Sequence, residues 1–351
     1  MIRVLIAEDS ATTLDLLTSI LESDPEIRVV GRAKNGAEAV ALTKTVRPDV
    51  VVMDIHMPVL DGFRATRQIM IESPTPIVIV SATLDVKAVD VSLHALRLGA
   101  LSVLEKPTGP GAPDFQETRE RFVATIRAMS AVKVVRRWAE SGVQPPELAL
   151  EPRQRPQLVA SAASTGGPTA LLRVLSDLPP TFPVPVLIVQ HMAPGFVTGL
   201  ANWLSGGCSI KVKVAESGER LEQGVAYLAP DDRQLGLVDR RTIQVSDTPA
   251  CGGFRPSGTH LFESVARVYG MAAVGIILTG MGDDGCTGLG ALRRAGGRII
   301  AQDEATSVVF GMPAAAIAAG LPHITLPLDS IGPRLRAWLG ASPASQGVKG
   351  E

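Results

Sequence analysis

"LVASAASTGGPTALLRVL", residues 158–175, is the stretch on which the fold turns. Its first part, Leu158–Ala162, is uncharged and short, as a fully buried strand is, and Ser164, Thr165, Gly166 and Gly167 form a glycine turn. Beyond Pro168, Ala170, Leu171, Val174 and Leu175 recur at helical spacing. A buried strand feeding a helix through a tight turn is half of a βαβ unit, so the chain reads as α/β with a parallel sheet. Ser164 stands at the turn.

The pattern extends in both directions. Downstream, strands are expected over Pro185–Gln190, Ala272–Leu278, Arg298–Ala301 and Ile324–Leu326. Between them, "IKVKVAE" (210–216), "GVAYLAP" (224–230), "RQLGLVD" (233–239) and "TIQVSD" (242–247) are short alternating strands, read as a β-hairpin insertion. Upstream, "ESGVQPPELALEPRQRPQ" (140–157) has four prolines and no sustained apolar period, as a linker does. Before it, strands Arg3–Ala7, Arg28–Ala33, Val50–Met53, Ile77–Val80 and Leu101–Leu104 alternate with helical runs such as Thr12–Ser23 and Gly36–Val46, and a last helix fits 114–139. The expected organisation is a five-stranded doubly wound domain over 1–139, a linker over 140–156, a second doubly wound domain over 157–345 and a tail over 346–351.

Composition narrows the class. With 351 residues, 46% hydrophobic, 20% charged and a net charge of -1, the chain is expected to be globular and in two domains, with no electrostatic reason to bind nucleic acid. Three widely spaced cysteines, Cys208, Cys251 and Cys286, suggest neither a disulfide framework nor a zinc site. The start, "MIRVLIAEDS", lacks the apolar run of a secretory signal, and the uncharged stretch 305–328 is broken by Gly311, Pro313, Gly320, Pro322 and Pro327. A cytoplasmic protein without membrane insertion is expected.

In a doubly wound sheet, ligands bind outside the carboxyl ends of the strands. In the first domain those ends carry Glu8, Asp9, Asp54 and Ser81, with Lys106 after strand five. Three carboxylates crowded together repel, and Mg²⁺ is the natural relief through oxygen ligation. Asp54 can then serve as a carboxylate nucleophile towards phosphorus, with Ser81 and Lys106 on the added oxygens. "AEDS" (7–10), "MDIHMPVLDG" (53–62), "VSAT" (80–83) and "EKP" (105–107) resemble, in order, the motifs of a response-regulator receiver domain of flavodoxin-like fold. Val103 departs from that pattern, standing where such domains often place Tyr or Phe.

In the second domain the turn admits two readings, a backbone cradle for phosphate or an elbow exposing a nucleophile. At this turn neither G-x-G-x-x-G nor a P-loop lysine is present, and the elbow pattern G-x-S-x-G is met except that Ala162 replaces the first glycine. A serine nucleophile needs a base. His191 follows a neighbouring strand and has the right address; His260, before a helix, is a rival, and His323 precedes the last strand. Asp283 or Asp284, after the strand 272–278, would orient the imidazole, and backbone N–H groups of that glycine loop and of Thr165 would face an oxyanion.

"ASTGG" (163–167), "QHMAPGF" (190–196), "LAPDDRQL" (228–235), "FRPS" (254–257), "ILTGMGDDG" (277–285) and "AQDEATSVVFGMPAAAI" (301–317) resemble the catalytic domain of chemotaxis methylesterases of the CheB type. The resemblance implies a phosphorylation-regulated protein-glutamate methylesterase and glutamine deamidase. It gives Ser164 as nucleophile, His191 as base, Asp284 as orienting acid, and Thr165 and Met281 N–H in the oxyanion hole, with no cofactor in that site. It also implies chemoreceptor cytoplasmic domains as substrates and a CheA-type histidine kinase as phosphodonor. "RPSGTHLF" departs from the family, which usually has Val-Asp where Gly258 and Thr259 stand. A phosphorylation-dependent adaptor with a non-catalytic hydrolase-like half, a variant esterase of a non-motility pathway and a nucleotide-binding module are the competing readings.

Overall fold

The computed structural model describes residues 1–81, 100–112, 115–132, 155–192 and 194–340. The chain divides into two units, Met1–Gly142 and Val143–Glu351, each built on its own parallel sheet.

The first unit runs β1 (Ile2–Ala7), α1 (Ala11–Glu22), β2 (Ile27–Ala33), α2 (Gly36–Val46), β3 (Val50–Asp54), α3 (Gly62–Glu72), β4 (Ile77–Ser81), β5 (Ser102–Glu105) and α4 (Phe115–Ser130). The strand order is β2-β1-β3-β4-β5. β3 and β4 are buried along their whole length, which is why they read as unbroken Val/Ile runs. Ser10, Asn35 and Asp61 cap the first three helices by accepting from the N–H three residues on. Because β1 lies between β2 and β3, the order reverses beside it, and a crevice opens between the loops after β1 and β3. The helix expected over 114–139 is α4, which ends at Ser130; the described Ala131 and Val132 are no longer helical, and residues 133–154 and the tail lie outside the described residues.

The second unit runs β6 (Leu158–Ala163), α5 (Gly167–Ser176), β7 (Val186–Gln190), α6 (Val197–Gly207), β8 (Lys211–Val214), β9 (Val225–Leu228), β10 (Gln234–Leu237), β11 (Ile243–Ser246), α7 (Gly258–Val268), β12 (Ala273–Ile277), α8 (Cys286–Arg294), β13 (Arg298–Gln302), α9 (Met312–Ala318), β14 (Ile324–Leu326) and α10 (Leu328–Leu339). Seven strands form one sheet in the order β14-β13-β12-β6-β7-β9-β8. Only β10 and β11 make an antiparallel hairpin; β8 and β9, expected within the insertion, extend the parallel sheet. β9 is buried throughout, whereas β8, at the edge, carries Lys211 and Lys213, charges that discourage further strand pairing. β6 sits between β12 and β7, so the chain reverses direction across the sheet beside the Ser164 turn. Among the described residues, no helix is long and apolar enough to cross a membrane.

α7 and α8 meet almost backbone to backbone. A Cβ on Gly288 would lie 2.8 Å from Phe262 Cβ and run into the Thr259 carbonyl. Elsewhere in a helix, Gly→Ala stabilises by up to about 1 kcal/mol. Here overpacking reverses the sign, and Gly288→Ala is expected to destabilise by about 1–3 kcal/mol in denaturant unfolding; a variant as stable as the parent would show that the helices can move apart freely.

Candidate active site

Three strand ends are tied together around Ser164. Ser164 N donates to Thr279 O at 3.0 Å, joining the end of β6 to that of β12, and His191 N donates to Ala163 O at 2.9 Å, joining β7 to β6. Gln190, buried at the end of β7, donates from Nε2 to the carbonyls of Ser164 and His191, both at 2.8 Å. Gly166 takes the left-handed conformation at φ +78°, and a Cβ at Gly167 would collide with the Gln190 amide, so both glycines are required by this turn. Gly280 crosses directly against the serine, where an added Cβ would stand 2.7 Å from Ser164 Cβ. Thr165 follows Ser164 in the α5 turn, and Gly280, the residue before Met281, brings the β12–α8 loop against it.

Asp284 is the buried acid of the pair, and Asp283 is exposed. Asp284 Oδ2 lies 2.9 Å from His191 Nε2 and accepts from Gly258 N at 2.6 Å. Its Oδ1 accepts from Ser257 Oγ at 2.7 Å and from Thr259 N at 3.1 Å. The carboxylate thus rests on the N-terminus of α7, where free N–H groups and the helix dipole favour an anion. Burial pushes its pKa up, but the hydrogen bonds from His191, Ser257 and Gly258 outweigh that and bring it down to about 2.

The His191 ring is held on two sides. Its Nε2 faces Asp284, and its plane stacks on Phe254 with centroids 4.3 Å apart and 6° between planes. Nδ1 is buried and has no hydrogen-bond partner among the described residues, leaving it as the nitrogen open to act as a base. Neither rival histidine shares this position. His260 lies on α7 against the hairpin, where a Cβ on Gly236 would come 3.4 Å from its Nε2, and burial lowers its pKa. His323 Nδ1 accepts from Ile299 N at 3.2 Å near the start of β13, at the opposite end of the sheet.

The two departures noted in the sequence meet in space: a Cβ on Gly258 would lie 2.7 Å from Ala162 Cβ. The alanine in place of an elbow glycine is thus matched by a glycine across from it. Around the cleft, Asp231 accepts from Gly195 N at 2.8 Å, and Asp232 pairs with both ends of the Arg255 guanidinium at 2.6 and 2.7 Å. These bonds lace the loops after β7 and β9 to the one preceding α7. Sequence reasoning did not single out Gln190, Phe254 or Ser257, because their roles arise only from this convergence.

In the first unit, Lys106 Nζ lies 2.7 Å from Glu8 Oε2 and 3.0 Å from Asp54 Oδ1. Glu8 and Asp54 are buried; desolvation raises the Glu8 pKa, and the Lys106 contact opposes it. Burial alone would lower the Lys106 pKa, yet the bond to Glu8 and the charge of Asp54 raise it. Ser81 ends the adjacent strand, and its carbonyl accepts from Lys106 N at 2.9 Å. One ligand atom from each of Glu8, Asp9 and Asp54 falls within a 4.8 Å cluster, an all-oxygen set suited to a hard divalent cation. Val103 is half-buried and packs on the core of this sheet.

Comparison with known proteins places these sites in context. The family model described as CheB methylesterase matches residues 159–335, and that of the response regulator receiver domain matches residues 4–112. A protein-glutamate methylesterase/protein-glutamine glutaminase of Myxococcus xanthus is 51% identical over 95% of this chain and 96% of its own. One from Anaeromyxobacter dehalogenans is 52% identical over 97% of this chain and 99% of its own. Among solved structures, the Thermotoga maritima CheB methylesterase catalytic domain is 37% identical, with a TM-score of 0.50, over 51% of this chain and 97% of that one.

The depressed Asp284 pKa has a signed consequence for stability. Its value falls from an ordinary 3.8 to about 2 on folding, so its stabilisation is complete above the unfolded value and disappears as pH falls through the folded one. The stability gap between the parent and Asp284→Asn, from denaturant unfolding, is expected to narrow by about 2 kcal/mol between about pH 5 and pH 2. A gap that does not change with pH would contradict this.

Proposed function

The chain belongs to the CheB methylesterase family and carries a response regulator receiver domain, and on that premise we propose how its two sites act. It is a phosphorylation-regulated protein-glutamate methylesterase and protein-glutamine glutaminase. Its substrates are the cytoplasmic domains of methyl-accepting chemoreceptors, it works in the cytoplasm, and a CheA-type histidine kinase is its phosphodonor. The observation that carries the hydrolytic reading is the His191–Asp284 contact beside the Ser164 turn.

Ser164 Oγ attacks the ester carbonyl and His191 Nδ1 takes its proton. Asp284 accepts the Nε2–H, which fixes the tautomer and stabilises the imidazolium as it forms. The N–H groups of Thr165 and Met281 receive the oxyanion of the tetrahedral intermediate. His191 then returns its proton to the leaving methoxide, methanol departs, and an acyl-Ser164 remains. Water, deprotonated by the same nitrogen, attacks the acyl group, and its collapse frees the glutamate carboxylate and the serine. With a glutamine side chain the leaving group is ammonia, and the remaining steps are the same.

In the receiver domain, Asp54 is the phosphoacceptor: a carboxylate oxygen attacks the phosphorus and the donor group leaves. Glu8, Asp9 and Asp54 would hold Mg²⁺. When bound, that ion offsets the charge of the phosphoryl oxygens. Lys106, already within 3.0 Å of Asp54, and Ser81 contact the added oxygens. The extra charge biases the domain towards a second state, which sets the esterase rate.

Ser164→Ala is expected to lower methanol release from methylated receptors by at least ~10³-fold with folding retained. Release at the parent rate would rule out the serine mechanism. A small phosphodonor with Mg²⁺ should raise methanol release by the parent and leave Asp54→Asn unchanged. An equal response in both would place the phosphoacceptor elsewhere.

A further inference from the structure

Gln234 opens β10 and has no exposed surface, although it belongs to the hairpin and not to the sheet that carries Ser164. Both ends of its amide are engaged. Oε1 accepts from Ser257 N at 2.9 Å, while Nε2 donates to the carbonyls of Pro249 and Phe254 at 3.3 and 3.2 Å. Ser257 in turn donates to Asp284, and the Phe254 ring covers His191. The two groups that fix the imidazole therefore hang from one buried side chain.

The segment that carries Phe254 gives a reason for such an anchor. Cys251 and Phe254 exchange two backbone hydrogen bonds of 3.0 Å, closing a turn over Gly252 and Gly253, both at positive φ. Two glycines make a turn of low intrinsic stiffness. Donors reaching its carbonyls from the interior set how far Phe254 stands above His191. Similarly, holding Ser257 N fixes the residue that caps α7 and donates to Asp284.

We propose that Gln234 is a positioning residue of the hydrolytic site, holding Ser257 against Asp284 and Phe254 over His191 so that Nδ1 is aimed at Ser164. The inference rests on the Ser164–His191–Asp284 reading above. Gln234 touches neither substrate nor the reacting atoms. Its effect is on the aim of a base, where a displacement of about 1 Å costs on the order of 10²-fold.

The test is kinetic and uses the full chain. Gln234→Met keeps the side-chain volume and removes both polar ends; Gln234→Glu keeps an acceptor for Ser257 N and removes the amide donors. Both are expected to lower kcat by about 10- to 100-fold with KM within about twofold, and to slow labelling of Ser164 by a fluorophosphonate in parallel. Thermal unfolding of each sample supplies the folded fraction, so a variant that fails to fold leaves the other to report. Adding Gln234→Met to a Ser257→Ala/Phe254→Leu background should cost little more, because the contacts through which it acts are already gone. Unchanged kcat per folded molecule, or a full multiplicative loss in that background, would overturn the proposal. Ser164→Ala separates the two levels: its retained methanol release would sink the serine mechanism, whereas an inert Ser164→Ala beside a fully active Gln234→Met would sink only the role of Gln234.

Discussion

An aspartate whose side chain is 2% exposed has to be answered by donors, and the second unit is arranged around answering Asp284. The N-terminus of α7 supplies two backbone N–H groups and the Ser257 hydroxyl, and His191 supplies its ring. Meeting that need fixes other parts in turn. α7 must press close to α8, which Gly288 permits, and Gly258 must approach Ala162 beneath the serine turn. Gly285 N, bonded to Thr259 Oγ1 at 2.9 Å, ties the Asp284 loop to the same helix end.

The two units place chemistry at the same location, the carboxyl ends of parallel strands beside a reversal of strand order, but treat carboxylates in opposite ways. In the first, three acids cluster, two of them, Glu8 and Asp54, share one lysine, and desolvation raises the Glu8 pKa. Such a cluster is suited to a cation and to gaining a phosphoryl group. In the second, one acid is isolated among neutral donors and a histidine, and its pKa falls to about 2. It stays ionised across the working range, ready to stabilise a transient imidazolium.

Much of this was legible in the sequence because strand ends can be read from where apolar runs stop. Glu8, Asp54, Ser164 and His191 each stand at such a stop, and that alone groups them. Choosing between Asp283 and Asp284 was beyond the residues themselves, since adjacent acids differ only in which one the loop turns inward. Of the four middle strands, β10 and β11 pair as the expected hairpin, whereas β8 and β9 do not join them: short alternating segments look alike whether they pair as a hairpin or extend a sheet, and β9 is distinguished by its parallel pairing with β7 and β8, which only the fold reveals. Gln234, Phe254 and Ser257 lie 15 or more residues from the groups they hold, and a buried amide or phenyl ring has no local pattern that announces it.

The proposed mechanism requires that Asp284 bind His191 through Nε2 and so leave Nδ1 as the base. Nitrogen-15 NMR of the His191 ring, at a pH where the imidazole is neutral, reads the tautomer directly. The proton is expected on Nε2 with Nδ1 unprotonated, the Nε2–H resonance being shifted downfield by the Asp284 bond and lost in Asp284→Ala. A proton on Nδ1 in the parent protein would contradict it.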